Sequence, residues 1–412
     1  MTSTADSPAG PVLDFDPFDR AHRADPYPLY RRLRETAPIY RSPRGHWLIS
    51  RHRDCTRIFR DSRFGHGSRQ VLQSNNFRRP VAGRALPFIL QDPPEHTRLR
   101  SLVSKAFTPR MVRQLEPRIT ELVDGMLDEA LERGEVDLMQ ALAYPLPVTV
   151  ISEMLGVPRA DRDKIKELSH VVARGVDPDF QHTPAEMARR GQAFAQFDEY
   201  FRALLAERRA EPRADLLSRL VTVREDDAGL TEAELLTTCI LLYVAGHETT
   251  ADLIGNGTLA LLRHPDQLAR LRDDPGLADT AVEELLRFDP PTQLTRRTAL
   301  ADVDLDGRHI SAGEQVVLIR GAANRDPEVF DQPERLDLGR ADNRHLAFDG
   351  GIHYCIGAPL ARVEGRIALS RLVRRAPGLR RTTDVLEYRD NLVIRGLVAL
   401  PVELRPAGKD RP

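Results

Sequence analysis

The chain has 412 residues, 41% of them hydrophobic and 29% charged, and its 60 basic and 61 acidic side chains leave a formal net charge of −1. That balance, with no Lys/Arg block interleaved with aromatics, excludes a general nucleic-acid binder. Cys55, Cys239 and Cys355 lie far apart and form no CxxC pair, which argues against a disulfide framework or structural zinc and for a reducing cytoplasm.

Residues 1–25 read as a loose polar leader without the basic and apolar regions of a signal peptide. A helix is expected over Tyr27–Thr36, where Tyr30 and Leu33 share one face. Two strand-like runs, Pro38–Arg41 and His46–Ser50, flank a turn at Ser42-Pro43-Arg44-Gly45, and Arg53–Asp61 is helical. Residues 62–92 show no sustained period, the mark of a functional or disordered loop. Helical patterns follow over Glu95–Ala106, Thr108–Arg133 and Leu138–Leu155, the last kinked or broken by Pro145 and Pro147. Asp161–Arg174 and Ala185–Glu211 are further amphipathic helices, joined by a flexible linker over 175–184.

Thr231 and Glu234 form a capping box that opens a helix running to about Leu262. This helix is apolar on several faces and should cross the interior. Its most apolar run stops at His247-Glu248, short of the ~20 residues a membrane span needs, so no membrane is expected. Short helices over Pro265–Arg272 and Leu277–Phe288, strands within 292–319 turning at Asp306-Gly307, and an irregular stretch over 321–347 come next. A final helix to about Arg374 and a strand-rich tail to Leu404 complete the pattern. The elements imply one mainly α domain, 1–412, with small β-sheets.

Ahead of that final helix, Phe348 to Arg362 reads Phe-Asp-Gly-Gly-Ile-His-Tyr-Cys-Ile-Gly-Ala-Pro-Leu-Ala-Arg. Glycines let backbone approach a large flat group, and Pro359 suits a helix's first turn. Cys355 thus stands just before a helix N-terminus, where free amides favour a thiolate able to bind a soft metal or act as a nucleophile. A buried cysteine in a glycine-rich turn is the plain alternative. In the long helix, Ala245-Gly246-His247-Glu248-Thr249-Thr250 puts polar groups in an interior element. Such groups must be hydrogen-bonded or used, and Thr249 can bond back to the carbonyl of Ala245 and loosen the ladder there. A packing glycine with satisfied neighbours is the alternative. Glu284 and Arg287 sit one turn apart as an ion pair that any solvated helix could carry.

In this order the motifs resemble the cytochrome P-450 family over roughly residues 20–405. The resemblance implies a triangular helical prism with haem b between the long helix and the cysteine-bearing helix. It implies Cys355 as thiolate ligand to the iron, with Phe348, Gly357 and Ala245 beside the haem and the amides of Ile356, Gly357 and Ala358 donating to the sulfur. His96, Arg100, Arg297 and His353 would meet the propionates. Glu248 and Thr249 would be the acid–alcohol pair that relays protons to dioxygen, the co-substrate. Glu284 and Arg287 would be a structural pair locked by Arg335 from Pro333-Glu334-Arg335-Leu336, where the family more often has an aromatic in place of Leu336.

The same resemblance places Val71, Leu72, Phe88, Ile89, Leu90, Leu294, Leu392 and Val393 around a hydrophobic substrate, such as a polyketide, macrolide or terpenoid. Electrons would come from NAD(P)H through ferredoxin and ferredoxin reductase. Their docking patch would be Arg100, Arg110, Arg113, Arg362 and Arg366, and the protein would be a cytoplasmic monomer. A peroxide-driven haem-thiolate enzyme, a non-enzymatic haem sensor or carrier, and a cysteine-nucleophile enzyme are the rivals.

Overall fold

The computed structural model of the chain describes residues 16–74, 81, 83–223 and 229–405. The leader before residue 16, positions 75–80 and 82 of the expected loop, and residues 406–412 lie outside the described residues. From Asp16 onward the leader is not loose: Phe18 is buried, and Arg23 pairs with Asp390 near the other end of the chain.

Helices dominate, and their limits follow local chemistry. Thr108 caps Pro109–Arg133 and Thr183 caps Pro184–Ala210, each accepting a backbone N–H with its hydroxyl. The expected break before Pro145 takes the form of a π-turn over Met139–Ala143, closed by Tyr144 N–H on the carbonyl of Met139, after which Pro145–Met154 is α-helical. The capping box of Thr231 and Glu234 is formed, and the helix it opens runs over Glu232–Arg263. That helix continues unbroken through Gly246 and Thr249, so the expected loosening is confined to one added hydrogen bond from Thr249 to Ala245. A short helix over Leu216–Thr222, capped by Asp215, was not legible from the pattern.

The sheets are small. Five strands lie in the order Ile39–Arg41, Trp47–Ile49, Gln315–Ile319, Leu294–Ala299 and Phe64–Gly65, with Trp47–Ile49 and Gln315–Ile319 parallel and the other pairs antiparallel. Val303–Leu305 and Arg308–Ile310 form the expected hairpin, with Asp306 and Gly307 both at positive φ as a tight turn requires. The tail is less strand-rich than its composition implies: Arg380–Arg381 and Pro401–Glu403 join Glu135–Asp137, and most of 382–400 is irregular. The main core packs the long helix against Pro145–Met154 and Ala358–Arg375. No described helix is long and apolar enough to cross a membrane.

Glu284 and Arg287 are wholly buried and joined by two hydrogen bonds of 2.7 and 2.9 Å. The third basic residue is Arg340, not Arg335. Arg340 Nε donates to Glu284 at 3.0 Å, whereas the exposed Arg335 offers only its carbonyl, which accepts from Arg287 at 3.1 Å. The chain turns between 335 and 340, and Asp337 N–H already occupies the near oxygen of Glu284, so the later guanidinium is the one that reaches it. Arg340→Ala should therefore cost about 1–3 kcal/mol by stranding part of a buried carboxylate. Arg335→Ala should stay within about 0.5 kcal/mol, as exposed changes do. Urea unfolding of the two holoproteins reads the difference.

Candidate active site

Cys355 follows a tight turn. Gly351 has φ +62°, and a Cβ there would lie 2.0 Å from the carbonyl oxygen of Phe59, so only glycine fits. Cys355 N–H donates to the carbonyl of Phe348 at 2.9 Å, and Ala358–Arg375 begins three residues later with Pro359 in its first turn. The sulfur lines a cavity and is exposed to it. Burial pushes its thiol up, and the hydrogen bonds from Gly357 and Ala358 oppose that without overcoming it. Those amides favour the thiolate, as expected, and a metal bound to the sulfur would favour it further.

The cavity has a volume of about 350 Å³ and is largely apolar. Cys355, Phe348, Gly357 and Leu360 line one side, and Ala245, Gly246, Thr249 and Thr250 of the long helix line the other. A second cavity of about 280 Å³ adjoins it over Ala245 and Thr249. Of the expected substrate contacts, Phe88, Ile89, Leu90, Leu294 and Val393 face the first cavity and Leu72 the second. Val71 lines neither and sits over Gly67 instead. Leu392 packs with Phe18, Tyr27 and Tyr30, because its backbone N–H is held by Asp177, which turns the side chain away.

Basic groups converge at one end of this cavity. The His96 and His353 rings are 4.4 Å apart and those of His66 and His353 4.9 Å apart. Arg100 donates to the carbonyl of Tyr354, and Arg297 and Arg320 both reach Asp349. Burial and then the Arg297 charge push His353 down to about 3; burial and Arg297 likewise hold His66 well below the usual imidazole range, and burial and Arg100 lower His96. Both ring nitrogens of His96 and of His353 lack a hydrogen-bond partner among the described residues. Neutral imidazoles with unused donors beside two buried guanidiniums suit paired carboxylates. The set fits a haem, with its propionates at this end and its metal at the sulfur. His66 and Arg320 went unnoticed in the sequence, since neither lies in a recognisable spacing.

On the far side of the long helix, Glu248 is 2% exposed, and His170 Nδ1 lies 2.5 Å from its Oε1. Arg389, from the tail, donates to both Glu248 and Asp252, one turn apart. Burial pushes the Glu248 carboxyl up, but the neighbouring His170, His247 and Arg389 outweigh it and hold Glu248 well below the usual range. Asp252 goes the other way: burial and the Glu248 charge, against Arg389, raise it to about 8. Its Oδ1 has no hydrogen-bond partner among the described residues. Thr249 Oγ1 donates to Ala245 at 3.0 Å and faces both cavities. His170, Arg389 and Asp252 carry no sequence signal, being brought together only by tertiary packing.

The Cytochrome P-450 family profile matches residues 32–275 and 276–376. The chain is 44% identical to cytochrome P-450 monooxygenase PikC of Streptomyces venezuelae, covering 96% of this chain and 95% of that one. It is 42% identical to vitamin D(3) 25-hydroxylase of Pseudonocardia autotrophica, over 95% and 96%. The solved structure of PksS, a polyketide synthase cytochrome P-450 of Bacillus subtilis 168, superposes with a TM-score of 0.88 at 37% identity over 95% and 99%. The fold and site define a haem-thiolate oxygenase. The chain belongs to the cytochrome P-450 family and is a monooxygenase of it, with haem as cofactor and dioxygen as co-substrate.

Two outcomes are expected from the charges at this site. Arg297→Ala should lower the haem retained per chain, read as the Soret-to-280 nm absorbance ratio after gel filtration. Because Asp252 has a folded value of about 8 against an ordinary 3.8, the folded state binds the extra proton across that window and stability falls as pH rises through it. Asp252→Asn should flatten that slope in thermal melts between pH 5 and about 8.

Proposed function

We propose that this enzyme inserts one oxygen atom, by hydroxylation or epoxidation, into a hydrophobic small molecule such as a polyketide, macrolide or terpenoid. The observation that carries the reading is an apolar cavity lined by both Cys355 and Thr249. The names of similar proteins, a polyketide-biosynthesis enzyme and a vitamin D(3) hydroxylase among them, support the substrate class.

Cys355 is the haem ligand in this reading, and His96, Arg100, Arg297 and His353 hold the propionates. When bound, haem supplies the reduction of dioxygen by two electrons and two protons, one oxygen atom entering the substrate and the other leaving as water. The apolar walls at Phe88, Leu90, Leu294 and Val393 bind the substrate by excluding water from it. Thr249 spends its hydrogen on the Ala245 carbonyl, which leaves its oxygen lone pairs turned to the cavity to orient a proton donor. Glu248, ionised and held by His170 and Arg389, takes a proton from the solvent cleft that His170 borders and carries it toward Thr249.

Electrons come from NAD(P)H through ferredoxin and its reductase. In the expected docking patch, Arg362 is tied to Glu283 and Arg366 to Glu116 and Asp279, so Arg110 and Arg113, exposed and without an acidic partner among the described residues, carry the free charge. The chain acts as a one-domain, cytoplasmic monomer.

Cys355→Ser should abolish the red-shifted Soret band of the reduced carbon monoxide complex. Glu248→Gln should slow substrate-dependent turnover by about 10²-fold, the usual worth of a positioned acid. Thr249→Ala should keep consuming NAD(P)H while yielding less product per dioxygen. A peroxide-driven enzyme would leave the last two variants unchanged in peroxide-supported turnover and show no turnover with redox partners.

A further inference from the structure

His170, His247 and Glu248 form a cluster whose geometry proton transfer does not explain. His170 comes from the helix Arg162–Arg174 and the other two from Glu232–Arg263. Glu248 Oε1 is 2.5 Å from His170 Nδ1 and 3.4 Å from His247 Nε2, and one ligand atom from each of the three residues lies within 4.8 Å of the others. His247 and Glu248 are buried, with side chains 0% and 2% exposed, whereas His170 is 39% exposed.

The hydrogen positions at His247 follow from its neighbours. Its Nδ1 is 2.8 Å from the carbonyl oxygen of Tyr243, which can only accept, so Nδ1 carries the hydrogen. In a neutral ring Nε2 then presents a lone pair, and that lone pair faces a carboxylate oxygen. Nε2 has no hydrogen-bond partner among the described residues. That lone pair and the carboxylate oxygen, which His170 Nδ1 also approaches at 2.5 Å, repel unless a positive centre lies close to all three. Arg389 does not supply it, because its guanidinium sits on the other oxygen, Oε2.

We propose that His170, His247 and Glu248 bind a divalent transition-metal ion of the Zn²⁺ kind. Two imidazoles and a carboxylate make the three-ligand set that leaves zinc a fourth, open position. Bonds of about 2.0–2.1 Å in a tetrahedral site set ligand atoms about 3.3–3.5 Å apart. The 3.4 Å spacing of the two buried ligands already meets that, and His170, the exposed one, moves to open its own. The ion enters from a solvent cleft of about 530 Å³ that both His170 and Glu248 line. An occupied site immobilises the Glu248 carboxylate, so the ion is an inhibitor of dioxygen-dependent turnover. That second statement rests on the proton-carrying role proposed above; the binding does not.

Isothermal titration of tag-free, chelator-treated holoprotein with ZnCl₂ at pH 7.5 tests the site. The expected result is one saturable Zn²⁺ per chain, with binding weakened at least about tenfold in His170→Ala and in His247→Gln through loss of one ligand of three. His170→Ala removes a partly exposed side chain, so retained carbon monoxide spectra will show it folded. No saturable binding to the parent protein, or binding unchanged in both variants, overturns the site. In a second measurement, Zn²⁺ should slow NAD(P)H- and dioxygen-dependent turnover but not peroxide-supported turnover, since peroxide brings its own protons. Stoichiometric binding without slowing overturns the inhibitory role alone and leaves the site standing.

Discussion

Arg287, a guanidinium with no solvent contact, holds the cysteine side of this molecule in shape. Two of its hydrogen bonds go to Glu284, and the others reach the carbonyls of Asn324, Pro333 and Arg335. Chain that is neither helix nor strand can be buried only if its carbonyls find donors elsewhere. Arg287 supplies three of the donors that the stretch from Asn324 to Arg340 needs. The path of that stretch then delivers Asp349, at φ +63°, to Arg297 and Arg320, and the turn at Gly351 to the backbone of Phe59. Cys355 inherits its place from these contacts. Removing either partner of such a pair leaves an uncompensated charge in the interior, which costs far more than the pair itself contributes.

The cavity sets two electrostatic problems at its two ends and answers them differently. At the histidine-lined end, cations outnumber anions, and burial together with the charges of Arg297 and Arg100 keeps three imidazoles neutral. At the long helix, two carboxylates share one arginine, and they divide the proton unevenly: Glu248 is ionised and Asp252 keeps its hydrogen near neutral pH. The first end suits negative charge, and the second holds one carboxyl ionised beside one that is protonated. Apolar walls between them keep water from short-circuiting either.

What could be read from the sequence was whatever chemistry depends on near neighbours. The capping box at Thr231 and Glu234, the back-bond from Thr249 to Ala245, the turn at Asp306-Gly307 and the proline break before Pro145 are settled within a few residues, and each stands where expected. The cysteine loop was legible for the same reason. Arg340 was missed and Arg335 chosen because the turn that brings the later residue round has no local signature. His170 and Arg389 were beyond reach: they meet Glu248 from 78 and 141 positions away, and nothing in their own surroundings marks them. The amides of Gly357 and Ala358 favour the thiolate at Cys355 as their place before a helix implies, while burial of the free thiol opposes them.

The tail enters the interior twice, once as a strand at Pro401–Glu403 beside Glu135–Asp137, and once as Arg389 between Glu248 and Asp252. Both acids belong to a helix that is complete by Arg263. During synthesis, therefore, that helix waits with its acids uncompensated while more than a hundred further residues leave the ribosome. Its middle turn cannot settle into the interior with charged carboxylates until the late guanidinium arrives. Cofactor-ready protein is thus a property of the nearly finished polypeptide, and a chain halted before residue 389 carries the cysteine and the threonine without the counter-charge that seals them in.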